Sequence, residues 1–479
     1  MIKYTLGWLL IFMGVFLTIP LITAAVYFEK AFFAFLLVMG LTLGLGLLLK
    51  MKKPKDTSLY AREGFVIVSA SWIILSLFGA VPFMLTGATT NFADALFEAA
   101  SGFTTTGATI FSEVEWLPKS VLMWRSFTHW IGGMGVLVFI MAFLPLGGGQ
   151  NMHIMRAESP GPEVSKLVPR VKKTAIILYI IYFAMTATMF VVLLFADMSV
   201  FDAINTAFST AGTGGFGFKN DSFGSAPAAQ QIIVTVFMLL FAINFNSYYL
   251  VLKLRFKDAF NSEVRAFLII VAVVVGIITV NIWTNLASQF DSVWEALRHA
   301  AFTVASLIST TGFSTVDFNL WPALSQTLLV IVLMIGGCAG STAGGIKVSR
   351  ILILFKGMAR ELRTIVHPRQ VKKISIDGKP VDREVIRSVN AYFTTFIAIF
   401  AVSVIAISFD GRDLVTNFTA VAATMGNVGP GLSGVGPMCN YGDFSVFSKL
   451  VMTFDMLAGR LELFPMLILF APSTYSKTK

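Results

Sequence analysis

Four times along this chain a short apolar stretch runs into a small turn rich in Ser, Thr and Gly: SGFTTTGATIF around Gly107, FSTAGTGGF around Gly212, LISTTGFSTVDF around Gly312 and AATMGNVGPGL around Gly426. Subtracting residue numbers gives intervals of 105, 100 and 114 between those glycines. Recurrence at so similar a spacing makes the chain four copies of one unit, and internal periodicity constrains the fold more than any local propensity does.

Hydrophobic residues make up 56% of the 479 positions, charged ones only 13%, and the mean hydropathy is +0.79. A water-soluble domain could not cover that much apolar surface. Windows near the ~20 residues that span a hydrocarbon core fall at about Leu6 to Tyr27, Ala31 to Leu49, Gly64 to Leu85, Val121 to Leu146 and Thr174 to Phe195. Others run from Ile232 to Leu252, Ala266 to Leu286, Leu324 to Leu354, Ala391 to Phe409 and Val446 to Phe470, ten in all.

An even number of crossings puts both termini on one side. Lys and Arg concentrate in Lys50 to Arg62, Arg156 to Lys173, Lys253 to Arg265 and Lys347 to Arg387. Alternating crossings place all of these on one face, which the positive-inside rule makes cytoplasmic. The net charge of +10 is then a topology signal, and no basic stretch interleaved with aromatics points to nucleic acid. Lys3 ahead of the first window and Ala24 and Ala25 near its end resemble a signal peptide. The run exceeds the apolar core of about 7–15 residues usual there, and a second span follows at once. Cys338 and Cys439 form neither a disulfide framework nor a metal spacing.

The expected fold is an all-α integral membrane protein. Two N-terminal helices (1–62) precede four repeats, 63–173, 174–263, 264–385 and 386–479, each reading as span, short re-entrant helix, polar Gly turn and span. Two crossings return the chain to its starting side, so the repeats are parallel about an axis along the membrane normal and enclose a central pore with pseudo-fourfold symmetry. The short helices are expected at Phe92 to Thr104, Phe201 to Ser209, Trp294 to Ile308 and Leu414 to Ala423. At 1.5 Å per residue they reach at most about 20 Å and must dip and turn inside a ~30 Å core. Asp94, Asp202, Glu295 and Asp413 stand at their N-terminal ends, which leaves the negative C-terminal ends facing mid-membrane, where a cation is favoured. Irregular backbone at that depth is tolerated only where it lines a cavity or is buried in protein.

Glycine accepts positive φ, so consecutive carbonyls can face an ion in place of its water shell. On the alignment above, the ion-binding turns are Thr105, Thr106 and Gly107; Thr210, Ala211 and Gly212; Thr310, Thr311 and Gly312; and Thr424, Met425 and Gly426. The ion would sit at Gly107, Gly212, Gly312 and Gly426. Gly212 to Gly217 also match G-x-G-x-x-G, but follow a short helix rather than a strand, with Ile232 and Ile233 where an acid would be needed.

TTTGA at Gly107, STTGF at Gly312, TMGNVG at Gly426, the GGCAGSTAGGIK stretch and the late AGRLELFP segment together resemble the Trk/Ktr/HKT superfamily of potassium transporters, and the likeness covers essentially the whole chain. The two-helix preamble points to its TrkH-type membrane subunits, which resemble four fused copies of a potassium-channel pore unit. Glycine at all four filter positions goes with potassium preference in that family, so potassium, bound and transported, is the implied ion. The second turn, TAGTGG, departs from the Asn-containing pattern common in bacterial relatives.

Gly336, Gly337, Cys338, Ala339, Gly340, Ser341, Thr342, Ala343, Gly344 and Gly345 interrupt the second span of the third unit. Spacing alone leaves two readings: helix-breaking backbone lining the water path, or a small-xxx-small packing stripe. The resemblance implies a movable intramembrane loop that gates. Arg460, with Asp455 and Glu462 nearby, lies where a buried charge costs at least ~2.5–3.5 kcal/mol. The resemblance implies a positive barrier near the cytoplasmic mouth of the filter; a structural salt bridge is the other account. Arg125, His129 and Gly132, Gly133 and Gly135 are read as packing and entrance hydration, and Asp317, Asp410, Asp413 and Asp443 as a solvated outer loop set. The segment Lys356 to Arg387 carries VKKISI, Asp377-Gly378 and KPV, the pattern of a hairpin.

The sequence therefore reads as channel-like potassium uptake across the cytoplasmic membrane, with both termini cytoplasmic. A sodium- or proton-coupled symporter is the alternative; it would normally show paired spans with midplane acids and inverted repeats, for which few candidates qualify. No HExxH or nucleophile–base arrangement suggests an enzyme, and no covalent cofactor is expected. The expected partners are membrane lipid, a second copy of the chain as a homodimer and, by resemblance, a cytosolic nucleotide-binding regulatory ring.

Overall fold

The computed structural model describes residues 2–52, 61–135, 171–368 and 373–474. The chain opens with α1 (Ile2–Phe16) and α2 (Thr18–Val26), which together make one apolar run, and α3 (Ala31–Lys50). One pattern then recurs: a long apolar helix, a short helix, a turn and a second helix. It comprises α4 (Ala61–Leu85), α5 (Phe92–Phe103) and α6 (Lys119–Gly133); then α7 (Val171–Phe195), α8 (Val200–Gly212) and α9 (Ala228–Phe241) with α10 (Phe245–Leu252). After the short α11 (Phe256–Ala259) come α12 (Ser262–Asn285), α13 (Val293–Ile308), α14 (Ala323–Ile335) and α15 (Val348–Val366). The last unit is α16 (Arg383–Ile407), α17 (Leu414–Met425) and α18 (Val446–Arg460) with α19 (Phe464–Ile468).

The short helices start where the sequence supplies a side-chain cap. Asn91, Ser199, Ser292 and Asp413 each accept an amide hydrogen from the first turn of α5, α8, α13 and α17, satisfying donors that a helix start otherwise leaves unpaired. The Thr416 hydroxyl and amide, bonded to Asp413, hold its carboxyl below the ordinary Asp range. Each short helix packs against the second helix of the preceding unit: α8 on α6, α13 on α9, α17 on α14, and α5 back on α18. That cyclic order closes a ring, and α5 is buried over almost its whole length.

Fewer long uninterrupted helices form than the ten apolar windows in the sequence. Six helices among the described residues are long and apolar enough to cross a bilayer, or seven if α9 and α10, bent by 91°, count as one. The second helices α6, α9, α14 and α18 have only 15, 14, 13 and 15 residues, about 20–22 Å at the helical rise. The windows looked continuous because Ile243, Leu461 and Leu463 keep hydropathy high across the breaks. The part of the fourth window beyond Gly135, and the basic segment Arg156 to Arg170, lie outside the described residues. The hairpin is present: β1 (Ser375–Ile376) pairs antiparallel with β2 (Lys379–Pro380) around Asp377-Gly378.

Candidate ion pathway

At the C-terminus of each short helix the chain makes the same turn. Thr106 donates its amide to the Ser101 carbonyl, Gly214 to Ser209, Thr311 to Ser306 and Val428 to Ala423, at 2.8–2.9 Å. One residue earlier, Thr105, Thr213, Thr310 and Asn427 take φ of 57, 55, 58 and 53° and donate to Gly102, Thr210, Leu307 and Thr424 at 3.0–3.2 Å. This paired bonding is the helix end that normally places Gly in the left-handed position. Thr is β-branched and strained there, and such strain persists where the surroundings over-determine it. Two residues further on, Gly107, Gly215, Gly312 and Gly429 have φ of 81, 78, 86 and 95°.

The equivalence of Gly107, Gly212, Gly312 and Gly426 is thus right in the first and third units and three residues early in the other two. Gly212 is the last residue of α8, and Gly426 follows α17 at φ −81°. Thr210, Ala211, Thr424 and Met425 lie inside those helices. The matching turn residues are Thr213, Gly214 and Gly215, and Asn427, Val428 and Gly429. The helix continues through the Ser/Thr stretch because a hydroxyl can bond back one turn, as Thr424 does to the Ala420 carbonyl at 2.8 Å, without ending the helix. The sequence did carry a signal. Thr213 to Phe216 and Thr310 to Phe313 share T-x-G-F, and in both units a Ser hydroxyl donates to the Phe carbonyl, Ser209 to Phe216 at 2.9 Å and Ser306 to Phe313 at 2.6 Å.

The turns surround one axis. A methyl group added at Gly107 would strike the Gly214 carbonyl, at Gly215 that of Thr311, at Gly312 that of Val428, and at Gly429 that of Thr106. Each glycine abuts the turn of the next unit, and the fourth returns to the first. One cavity is lined by Gly107, Gly215, Gly312 and Gly429 together with Asn220 and Tyr441. Glycine is required here twice over, by positive φ and by the neighbouring backbone.

Gly336 to Gly345 form one continuous loop between α14 and α15. Its Cys338 amide donates to Ala242 at 2.9 Å in the break between α9 and α10, while Phe245 donates to Gly340 at 3.0 Å. The Thr342 hydroxyl reaches the Phe241 carbonyl at 3.1 Å, and Gly345 donates to Gly426 at 2.9 Å. The buried Lys347, at φ 85°, donates its Nζ to the Ala343 carbonyl. Arg460 ends α18 beside this loop. Its guanidinium donates to Thr342 at 3.0 Å, to Gly133 at 2.8 Å and to Gly132, so it joins three units. Glu462 pairs with Arg350 at 2.5 Å and Asp455 accepts from Ser403 at 2.8 Å.

A buried ion pair that sequence reading missed holds the first turn to the second. Arg125 Nε donates to Glu98 at 2.8 Å and Nη1 to the Gly217 carbonyl at 3.0 Å. Glu98 also accepts the Ile110 amide at 3.0 Å. His129 bridges the Gly102 carbonyl (2.8 Å) and the Phe216 amide (3.2 Å). With the amide donating to Nε2, Nδ1 carries the hydrogen. Asp317, Asp410 and Asp413 accept local bonds from Asn319, Ser445 and Thr416. Among the described residues no cluster of His, Cys, Asp and Glu could hold a metal ion.

A family model described as TrkH, cation transport protein, matches residues 29–479. The chain is 35% identical over 486 residues to the Trk system potassium uptake protein TrkH of Halomonas elongata, covering 100% of this chain and 99% of that protein. It is 36% identical to the protein of the same name from Escherichia coli K12, over 98% and 97% of the two chains. The crystal structure of the potassium transporter TrkH from Vibrio parahaemolyticus superposes with a TM-score of 0.89 at 33% identity, covering 99% of each chain.

Proposed function

Because the chain belongs to the TrkH family of cation transport proteins, we propose that it takes up potassium across the cytoplasmic membrane through a filter of main-chain carbonyls. The observation that carries this reading is the closed circuit of four left-handed turns, each with its glycine against the next, opening on one cavity. Alternating positive φ aims successive carbonyls the same way, and oxygens so held can replace the hydration shell of a monovalent cation. Four helix C-termini, with their partial negative charge, converge on the same point. All four ring positions are glycine in the corrected register too, which accords with potassium rather than sodium.

The loop Gly336 to Gly345, braced by Arg460, is the proposed gate below the filter. The termini and the basic loops lie on the cytoplasmic side, where a nucleotide-binding regulatory ring would dock; a second copy would complete a homodimer. Purified protein in liposomes tests the reading, with potassium, rubidium and sodium gradients imposed separately. Potassium and rubidium flux that follows each electrochemical gradient without proton dependence supports a channel-like path. Obligatory dependence on a sodium or proton gradient would establish the coupled symporter instead. Deleting Gly337 to Ala343 should raise potassium flux; unchanged flux would reduce the stretch to a packing face.

A further inference from the structure

Glu263, the second residue of α12, is buried, and its Oε1 accepts two amide hydrogens from across the chain: Ala339 at 2.7 Å and Ser349 at 3.1 Å. Ala339 lies within the intramembrane loop, and Ser349 stands in the first turn of the helix that follows it. One carboxylate oxygen therefore holds the loop and its exit together. Charge-assisted bonds of this kind are roughly twice as strong as neutral ones, and a buried carboxylate without them would be costly.

The residue before Glu263 faces the cytoplasmic hairpin. Ser262 donates both its amide (2.8 Å) and its hydroxyl (2.6 Å) to Asp377 Oδ1, and Arg265 stands 3.8 Å from the same carboxylate. Asp377 is the exposed hairpin tip, at φ 49°. The hairpin also sits on α15, where Lys356 Nζ donates to the Ser375 carbonyl at 2.7 Å and the buried Ile374 packs over Gly357. It thus bridges α12 and α15, the two helices that Glu263 ties to the loop.

Resting on the reading of that loop as a gate, we propose that Glu263 is the positioning residue that latches it, and that the Asp377 hairpin is the exposed handle through which the latch is moved. A partner offering a basic group would draw Asp377 away from Ser262 and Arg265. The start of α12 would then shift, and Glu263 with it. A charge change at a local contact that biases a two-state element is how such switches work.

Cys338, fully buried and adjacent to Ala339, reports on the latch. In full-length protein carrying Cys439→Ser, labelling of Cys338 by a water-soluble maleimide should rise on the order of tenfold or more in Glu263→Ala, which loses two charged hydrogen bonds. Asp377→Ala, a surface change that keeps the Glu263 side chain but frees the start of α12, should raise it several-fold. Glu263→Gln keeps a carbonyl oxygen for both amides but not the charge and should fall between the parent and Glu263→Ala. Unchanged labelling in Glu263→Ala overturns the latch, and an effect of Glu263→Ala without one of Asp377→Ala overturns the handle. Should Glu263→Ala fail to assemble, Asp377→Ala and Ser262→Ala decide. Faster labelling with unaltered flux leaves the latch standing and removes the gate; unchanged labelling beside a flux increase on loop deletion does the reverse.

Discussion

Gly344 donates its amide hydrogen to the hydroxyl of Thr310 at 2.6 Å. Thr310 is the left-handed residue of the third turn, and Gly345 reaches the Gly426 carbonyl, just ahead of the fourth. The loop is therefore bonded to the turn assembly itself, and displacing it must break bonds to the third and fourth turns. Turns and loop are thus hydrogen-bonded to each other as one packed unit.

Thr310→Val removes that acceptor while keeping the β-branched shape at the same φ. A neutral hydrogen bond is worth about 1 kcal/mol net, so basal rubidium flux in liposomes should rise by roughly fivefold with no loss of protein yield. Flux equal to the parent would show that the Gly344 contact does not hold the loop.

The corrected register has its own test in the fourth unit. Gly429→Ala places a methyl against the Thr106 carbonyl at φ 95°, and left-handed backbone costs a non-Gly residue about 1–2 kcal/mol even without a collision. Potassium flux should fall by more than about tenfold, or selectivity over sodium should collapse. Gly426→Ala, at an ordinary negative φ, should change flux by less than about threefold. The opposite ranking would restore the register first expected.

Local signals carried the short helices well. Phe92 to Thr104 was expected and Phe92–Phe103 formed, Trp294 to Ile308 was expected and Val293–Ile308 formed, because caps and first-turn acids act within a few residues. The turn register was legible only partly, since Ser and Thr sit as comfortably in a last helical turn as in a filter. Breaks in the second helices were hidden for another reason. They are fixed by bonds between distant segments, such as Cys338 to Ala242, and the hydropathy of Ile243 or Leu461 says nothing of them. Glu98 with Arg125, and Glu263 with Ala339, are likewise pairings that only the folded chain creates.

The Glu98–Arg125 pair is nearly solvent-free, with side chains 0% and 2% exposed. Removing one member of such a pair leaves the other charge uncompensated and costs about 3–5 kcal/mol. Arg125→Ala should therefore lower the unfolding temperature of the purified protein sharply, and so should Glu98→Gln, which leaves the buried Arg125 charge without its partner. An Arg125→Ala protein as heat-stable as the parent would mean that the seam between the first and second turns is held elsewhere.

Arg460 has two accounts, the electrostatic barrier that the resemblance implies and a structural brace built on the carbonyls it meets in the folded chain. As an electrostatic barrier it would act through its charge, which Lys shares. As a brace it acts through a planar fork that serves Thr342 in one unit and Gly132 and Gly133 in another, and Lys cannot reproduce that geometry. Hydrogen bonds from a charged donor contribute about 1.5–3 kcal/mol each, so freeing the loop should raise basal flux on the order of tenfold. The brace predicts that Arg460→Lys and Arg460→Ala both show this increase at unchanged protein yield. A barrier predicts parental flux in Arg460→Lys and an increase only in Arg460→Ala, and that pattern in potassium efflux from liposomes would overturn the bracing role.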